Sequence, residues 1–350
     1  MDLSIAAILA QDGIASGAIY ALLALALVLV FSVTRIIFIP QGEFVAFGAL
    51  TMAALQSNLV PGTAVLLLAL GLLAFVGDAL VCIRSTAGRR AALRRLAASF
   101  ARCVMAPAVL LLLLRLVTGT ALPMPIQILL TLAIVVPMGP LVYRLAFQPL
   151  AEASVLVLLI VSVGVHFALL GLGLVMFGAE GSRTLAFTDA RFMLGSLTIA
   201  GQSIVIVVAA LLLIAALYLY FDRTLSGKAL RATAVNRLGA QLVGIGTVQA
   251  GRVAFTLAAA IGTVCGVLIA PLTTIYYDSG FLIGLKGFVG AIIGGLGSYP
   301  IAAAGAITVG LLEAYASFFA SAFKEVIVFT LIIPILLWRS LTSTPVEDDA

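Results

Sequence analysis

Along this chain the apolar positions neither alternate nor keep to one helical stripe. They run unbroken for twenty residues and more. A helix of about 20 apolar residues crosses about 30 Å of hydrocarbon, so each uncharged interval predicts a crossing. Residues 13–34, 116–143, 153–179, 192–221, 253–277 and 287–312 each suffice for one, and 44–77 for two short ones folded about Leu59-Val60-Pro61-Gly62. Counting 104–114 and 326–338, eight full helices are expected, with three further segments that are short, re-entrant or broken. The predicted fold is all-α: a polytopic membrane helical bundle of about 8–11 transmembrane or re-entrant helices, one domain over 1–350. A membrane barrel would instead alternate over segments of about ten residues.

Composition sharpens this picture. Hydrophobic residues make up 63 % and charged residues only 9 %, where about a quarter is usual for a soluble domain. The net charge of +5 comes largely from short basic loops, which stay cytoplasmic. The strongest is "RSTAGRRAALRRLAASFAR", carrying Arg84, Arg89, Arg90, Arg94, Arg95 and Arg102 without an acid, in a basic insertion at about 83–103. A second basic loop occupies 222–252. Placing both inside, with Arg144 and Arg339, leaves the loops around Glu180 and Asp278 outside. Basic charge without interleaved aromatics gives no reason to expect nucleic acid, and the arginine cluster is expected to meet membrane lipid. The first helix begins almost at Met1 with neither a basic leader nor a small-residue cleavage site, so it is expected to be retained. Cys82, Cys103 and Cys265 have unrelated spacing that suggests neither a disulfide frame nor a metal site.

Charges inside apolar stretches are costly and are functional candidates by default. Arg35 and Glu43 bracket "IIFIPQG", in which Pro40-Gln41-Gly42 cannot continue a regular helix. Two readings stand: a broken element lining a water-filled path, or an interfacial turn with Glu43 at a helix N-terminus. His166 has no ionisable neighbour within a helical turn and reads as a packing residue. Asp78 and Arg115 are isolated, and Glu313, Lys324 and Glu325 read as interfacial. Glycines crowd "GFVGAIIGGLGSYPIAAAGAITVGLLEAY", where Gly287 and Gly290 fit close helix packing and the stretch 294–300 a tight turn or half-helix junction.

No reaction machinery is visible. HExxH, GxSxG, paired Cys/His ligands and a dinucleotide fingerprint are all missing from the sequence, and Gly227-Lys228 lacks the rest of a Walker A loop. The chain is therefore expected to be no enzyme, to bind no cofactor and to hydrolyse no ATP. In the 222–252 loop a helix over 228–245 is predicted, with Leu238, Leu242 and Ile245 as one apolar stripe, basic residues elsewhere around it, and Gly244 and Gly246 as its stop. Such a helix suits an anionic lipid surface or a groove on a soluble protein.

Three segments, in order, resemble the branched-chain amino acid ABC transporter permeases. "GKALRATAVNRLGAQLVGI" is similar to the family's cytoplasmic coupling segment through Gly227, Arg231, Ala232, Ala240, Gly244 and Ile245. "RIIFIPQGEF" matches a first-helix pattern through Arg35, Ile36, Ile37, Gly42, Glu43 and Phe44, with Phe38, Pro40 and Gln41 where the family usually has Asn, Ala and His. "KGFVGAIIGGLGS" matches a C-terminal pattern through Lys286, Phe288, Gly294, Gly295, Leu296, Gly297 and Ser298. Between about residues 61 and 122 nothing matches.

The resemblance implies the membrane permease subunit of a binding-protein-dependent importer in a bacterial inner membrane. Its partners would be a second homologous permease, two ATP-binding subunits that use ATP and magnesium, and a periplasmic solute-binding protein. Coupling is expected from Gly227, Lys228, Arg231, Ala240, Gly244 and Ile245, and a translocation pathway from Arg35, Gln41, Gly42, Glu43, Gly294, Gly295 and Gly297. Relatives of this kind also carry urea and short amides. A self-sufficient transporter or channel, using scattered groups such as Glu43, His166 and Glu313, is one alternative, and a purely structural subunit is another.

Overall fold

A computed structural model describes residues 3–84, 89–117, 119–120, 122–194, 197–330 and 332–342. In chain order its helices are α1 (Leu3–Thr34), α2 (Gln41–Gln56), α3 (Gly62–Arg84), α4 (Arg89–Phe100), α5 (Ala106–Val117), α6 (Met124–Val135), α7 (Met138–Val142), α8 (Val155–Phe177), α9 (Gly201–Arg223), α10 (Leu225–Val235), α11 (Arg237–Leu242), α12 (Thr247–Ile269), α13 (Ser279–Ile293), α14 (Tyr299–Phe319), α15 (Lys324–Thr330) and α16 (Ile332–Thr342). A two-stranded hairpin, β1 (Arg191–Leu194) and β2 (Leu197–Ala200), precedes α9. Among the described residues eight helical stretches are long and apolar enough to span a membrane, among them Ala92–Val117 and Met124–Leu150. The all-α polytopic architecture read from the sequence therefore holds.

Several boundaries differ from the sequence reading, each for a local reason. The predicted crossing at 192–221 loses its first residues to the hairpin, in which Phe192 faces Ile199 and Leu194 faces Leu197 across the register. Extended, β-branched and aromatic pairs of that kind stabilise strands. The crossing predicted from residue 116 instead starts at Met124, behind Pro123 at φ −64° and with a proline in its first turn, a position that suits proline. The apolar run at 287–312 is two helices, divided at the junction expected over 294–300. At its break Gly295 and Leu296 both take positive φ, 65° and 56°, and Pro300 opens α14. The segment at 104–114 belongs to the longer span Ala92–Val117, while 326–338 is helical on both sides of residue 331, which lies outside the described residues. The pair of helices expected around residues 59–62 is present as α2 and α3. Of the basic insertion, residues 85–88 lie outside the described residues and Arg89–Phe100 forms α4.

Two compact units divide the chain. One gathers Met1–Val28, Thr188–Ala215 and Leu285–Ala350, and the other Leu29–Phe187 and Ala216–Gly284. In the first, helices approach backbone to backbone at small residues: a Cβ on Gly17 would stand 2.8 Å from Ile307 Cα, and one on Gly290 would stand 2.9 Å from Ala306 Cα. Gly287, likewise, leaves room for Leu23. Close packing of this sort is how membrane helices associate when the surroundings are as apolar as their side chains.

In the second unit α2 is the hub. It is buried along nearly its whole length and lies along α12, where a Cβ on Gly48 would meet Thr263 Cα at 2.9 Å. An aromatic cluster continues this core, with Phe255 4.6 Å from Phe38, 4.9 Å from Tyr143 and 5.4 Å from Phe147 between ring centroids. Outward positions are apolar too. Val81, Ile160 and Leu116 are mostly exposed, as lipid-facing residues are.

Candidate translocation and coupling sites

Between α1 and α2 the chain leaves helical geometry for six residues, and its backbone groups find local partners. Arg35 takes φ 61°, rare for a residue with a side chain, and its N–H still donates to Phe31 O at 2.8 Å. The Ile39 amide donates to Ser162 Oγ at 2.9 Å, and the Ile36 amide to Thr34 Oγ1 at 3.3 Å. An interfacial turn would leave this stretch wet. Instead Ile36, Phe38, Gln41 and Glu43 are all buried, while Arg35 alone of the bracketing charges is exposed and rests 5.9 Å from the Phe31 ring centre.

Three polar side chains meet the break from within the second unit. Gln41 donates from Nε2 to Ala258 O at 2.9 Å, and its Oε1 is buried without a partner among the described residues. Glu43 is completely buried, with its Oε1 3.0 Å from His166 Nδ1 and its Oε2 bare. His166 in turn stands against the Phe281 ring, 4.7 Å between centroids. Gly42 between them permits the closest backbone approach of the region, because a Cβ there would strike the Gly280 carbonyl. Neither Glu43 oxygen nor His166 Nδ1 has a hydrogen bond of good geometry among the described residues, despite the 3.0 Å approach, and a buried carboxylate so placed is costly. Sequence reasoning took His166 for packing, because its partner lies far away in the chain and no local pattern shows it.

The expected helix over 228–245 is in fact two, α10 and α11. Thr224 caps the first, its Oγ1 accepting from the Gly227 amide at 2.9 Å, and Asn236 caps the second, its Oδ1 accepting from the Gly239 amide at 2.8 Å. Asn236 itself is extended, φ −149° and ψ 103°. A side chain that competes for backbone donors thus restarts the helix. Gly227 is buried where the chain folds back, and a Cβ there would press on Phe221 Cα at 2.7 Å. Ala240 is buried, and Lys228 and Arg231 are exposed. Gly244 takes φ 86° in open space, and the Ile245 amide bonds back to Ala240 O at 2.9 Å. The apolar stripe also differs from the predicted one. Ile245 is half-buried in the closing turn, whereas Val235, Leu238, Leu242 and Val243 are 86, 68, 81 and 76 % exposed.

Gly294, Gly295 and Gly297 belong to the first unit, in the turn between α13 and α14. Gly294 is packed against Ala302 and Gly295 needs its positive φ, while Gly297 is exposed. The same unit holds a charge cluster whose members read as separate in the sequence. Lys286 is 5 % exposed, and its Nζ lies 2.5 Å from Glu313 Oε1 and 3.2 Å from Glu325 Oε1, while Tyr20 donates to Glu313 Oε2 at 2.6 Å. Glu313 and Glu325 are therefore partners of a buried ammonium rather than interfacial residues. Asp78 is not isolated either; in the second unit it pairs with Arg144 and accepts from Ser99. The signal available in the sequence was arithmetic: a buried charge must find its opposite somewhere. Among the described residues no group of three His, Cys, Asp or Glu side chains could hold a metal ion.

Residues 9–336 match the family model described as "Branched-chain amino acid transport system / permease component". The chain is 30 % identical over 208 residues to the high-affinity branched-chain amino acid transport system permease protein BraD of Pseudomonas aeruginosa, covering 57 % of this chain and 68 % of that relative. It is 31 % identical over 204 residues to the permease protein LivH of Escherichia coli K12, covering 55 % of this chain and 65 % of LivH, a little under two thirds of that relative. A probable branched-chain amino acid transport permease protein LivH of Methanocaldococcus jannaschii is 31 % identical over 194 residues, 52 % of this chain and 60 % of the relative. No solved structure matches the chain.

Proposed function

Since the chain belongs to the branched-chain amino acid transport permease family, we propose that it is the membrane-spanning subunit of a binding-protein-dependent ABC importer for branched-chain amino acids in a bacterial inner membrane. In this reading a second homologous permease completes the pore and two ATP-binding subunits dock from the cytoplasm. A periplasmic solute-binding protein delivers the cargo. ATP and magnesium are used by those partners, and this chain contributes no catalytic site.

The observation that carries the reading is the exposed apolar edge of α10 and α11. Val235, Leu238, Leu242 and Val243 stand out beside Lys228 and Arg231, on two short capped helices that return directly into α12. Large apolar side chains so exposed in a basic loop fit a groove on a protein partner. For coupling, the partner must hold this segment differently in its ATP-bound and ATP-free states, since a ligand indifferent to two states shifts neither. Alternating access then follows from the movement of the helices that flank it. On the pathway, Gln41 Oε1 and Glu43 Oε2 are acceptors without donors, which suits the ammonium group of an amino acid. The N–H groups of urea or a short amide would meet the same acceptors, so an amide importer is the second reading.

The test is solute-stimulated ATP hydrolysis in liposomes holding the four kinds of subunit, wild type against Leu242→Glu. Gly244 is a poor site for the purpose, because any other residue there is strained at φ 86°, whereas Leu242 is exposed and tolerates a charge. Leucine stimulation that Leu242→Glu abolishes is expected; stimulation by urea or acetamide but not by leucine selects the second reading. Uptake by the chain alone, without ATP, would overturn both.

A further inference from the structure

The second unit contains a cavity of about 770 Å³ that the transport reading leaves unused. Arg94, Arg95, Arg102, Arg144 and Arg252 line it, with Asp78 as the one acid; five positive charges against one negative leave four uncompensated. The remaining wall is largely apolar, including Leu67, Val81, Leu96 and Leu141. Arg94, Arg95 and Arg102 are exposed and open to water, whereas Arg144 and Arg252 are half-buried with Asp78 as their one acid, and a half-buried guanidinium is stabilised when an anion joins it.

The local backbone is unusual where two of these arginines are placed. Arg102 sits on a π-helical turn, Ala101–Met105, and Arg144 on another, Tyr143–Phe147. Such turns are rare and are frequently found at functional sites. They are held in place. A Cβ on Gly71 of α3 would strike the Cys103 carbonyl of the first turn, and Tyr143 of the second packs beneath Gly251. Arg144 is oriented by Asp78, which Ser99 also engages. Arg252 donates one terminal nitrogen to Gln148 Oε1 at 2.9 Å, but its Nε is buried with no partner among the described residues. That unmet donor is an independent sign of a missing acceptor.

We propose that this cavity binds the phosphate of an anionic phospholipid, with the guanidinium forks on the headgroup and the apolar wall against the acyl chains. Guanidinium matches phosphate oxygens in bidentate geometry. The apolar wall favours a lipid over a free phosphate, as do the exposed apolar side chains on the adjoining helices, Val81 at 70 % and Leu93 at 58 %. The clustered arginines also place this end on the cytoplasmic side, where anionic lipid concentrates.

The experiment is native mass spectrometry of the full chain, released from nanodiscs of phosphatidylcholine with or without phosphatidylglycerol. Wild type, Arg102→Gln/Arg252→Gln and Arg90→Gln are compared, Arg90 being an exposed arginine outside the cavity. Expected is retention of phosphatidylglycerol by wild type and by Arg90→Gln, and a loss of roughly tenfold in the double variant, the scale set by one or two charged hydrogen bonds. Should that variant fail to run as a monodisperse species, Arg94→Gln/Arg95→Gln, both exposed, replaces it with the same expectation. Equal loss in Arg90→Gln would mean diffuse attraction and overturn the site. Displacement of the bound lipid by inorganic phosphate, at concentrations that leave other lipids bound, would make the ligand a soluble phosphate and overturn the lipid assignment.

Discussion

Lys286 and Glu43 are both charges almost wholly removed from solvent, yet their surroundings answer them differently. Around Lys286 two carboxylates share the ammonium and Tyr20 serves Glu313, leaving Glu325 Oε2 as the spare acceptor. Around Glu43 a single imidazole stands at 3.0 Å, and acceptors on Glu43 and on nearby Gln41 remain empty. The first arrangement ties α13, α14 and α15 together with its own groups. The second leaves acceptors that its own groups do not fill. A buried charge thus reads as structural or functional according to how many of its hydrogen-bonding positions the protein itself fills.

Substitutions can break this contrast. The largest effect is expected from Lys286→Met, which strands two carboxylates and should cost about 3–5 kcal/mol, read as a lowered thermal midpoint in detergent; adding Glu313→Gln should recover part of it. His166→Leu leaves Glu43 without its one neighbour, and about 1–3 kcal/mol is expected by the same measurement. Tyr20→Phe removes one hydrogen bond to Glu313 and should cost about 1 kcal/mol, with transport unchanged. Glu43→Gln is expected to be smallest in stability, about 1 kcal/mol or less, because it removes the unsatisfied charge itself. In solute-stimulated ATP hydrolysis, however, it should lose about tenfold to a hundredfold, the scale of one charge-assisted hydrogen bond. A Glu43→Gln protein as unstable as Lys286→Met, or as active as wild type, would erase the distinction.

How much of this was legible beforehand depends on the range of the signal. Continuous apolarity is local and strong, so the spans could be read directly, and so could a break near Pro40, although it occupies residues 35–40 and Gln41 and Gly42 already belong to α2. The hairpin before α9 was hidden because Phe192 to Ile199 is as apolar as a span and only its pairing reveals strands. The helix expected over 228–245 ran through Asn236, whose side chain instead caps a new helix at that point, and the local cap won. Pairings such as Glu43 with His166 and Lys286 with Glu313 join distant parts of the chain and leave no periodic trace. The left-over acceptors at Gln41 and Glu43 are further still from sequence, since satisfaction is a property of geometry.

Asn236 also has a mechanical meaning. A single continuous helix would act as a stiff rod, and a force at its tip would reach the next span as a rigid tilt. With one extended residue between α10 and α11, the lever is jointed, and only two backbone dihedrals need turn for the second rod to swing against the first. On the far side just four residues, Val243 to Gly246, separate α11 from α12, and Gln241 is bonded to Thr247 at 3.1 Å. The freedom is on one side of α11 and the restraint on the other, so a displacement of α11 is passed to α12 rather than to α10.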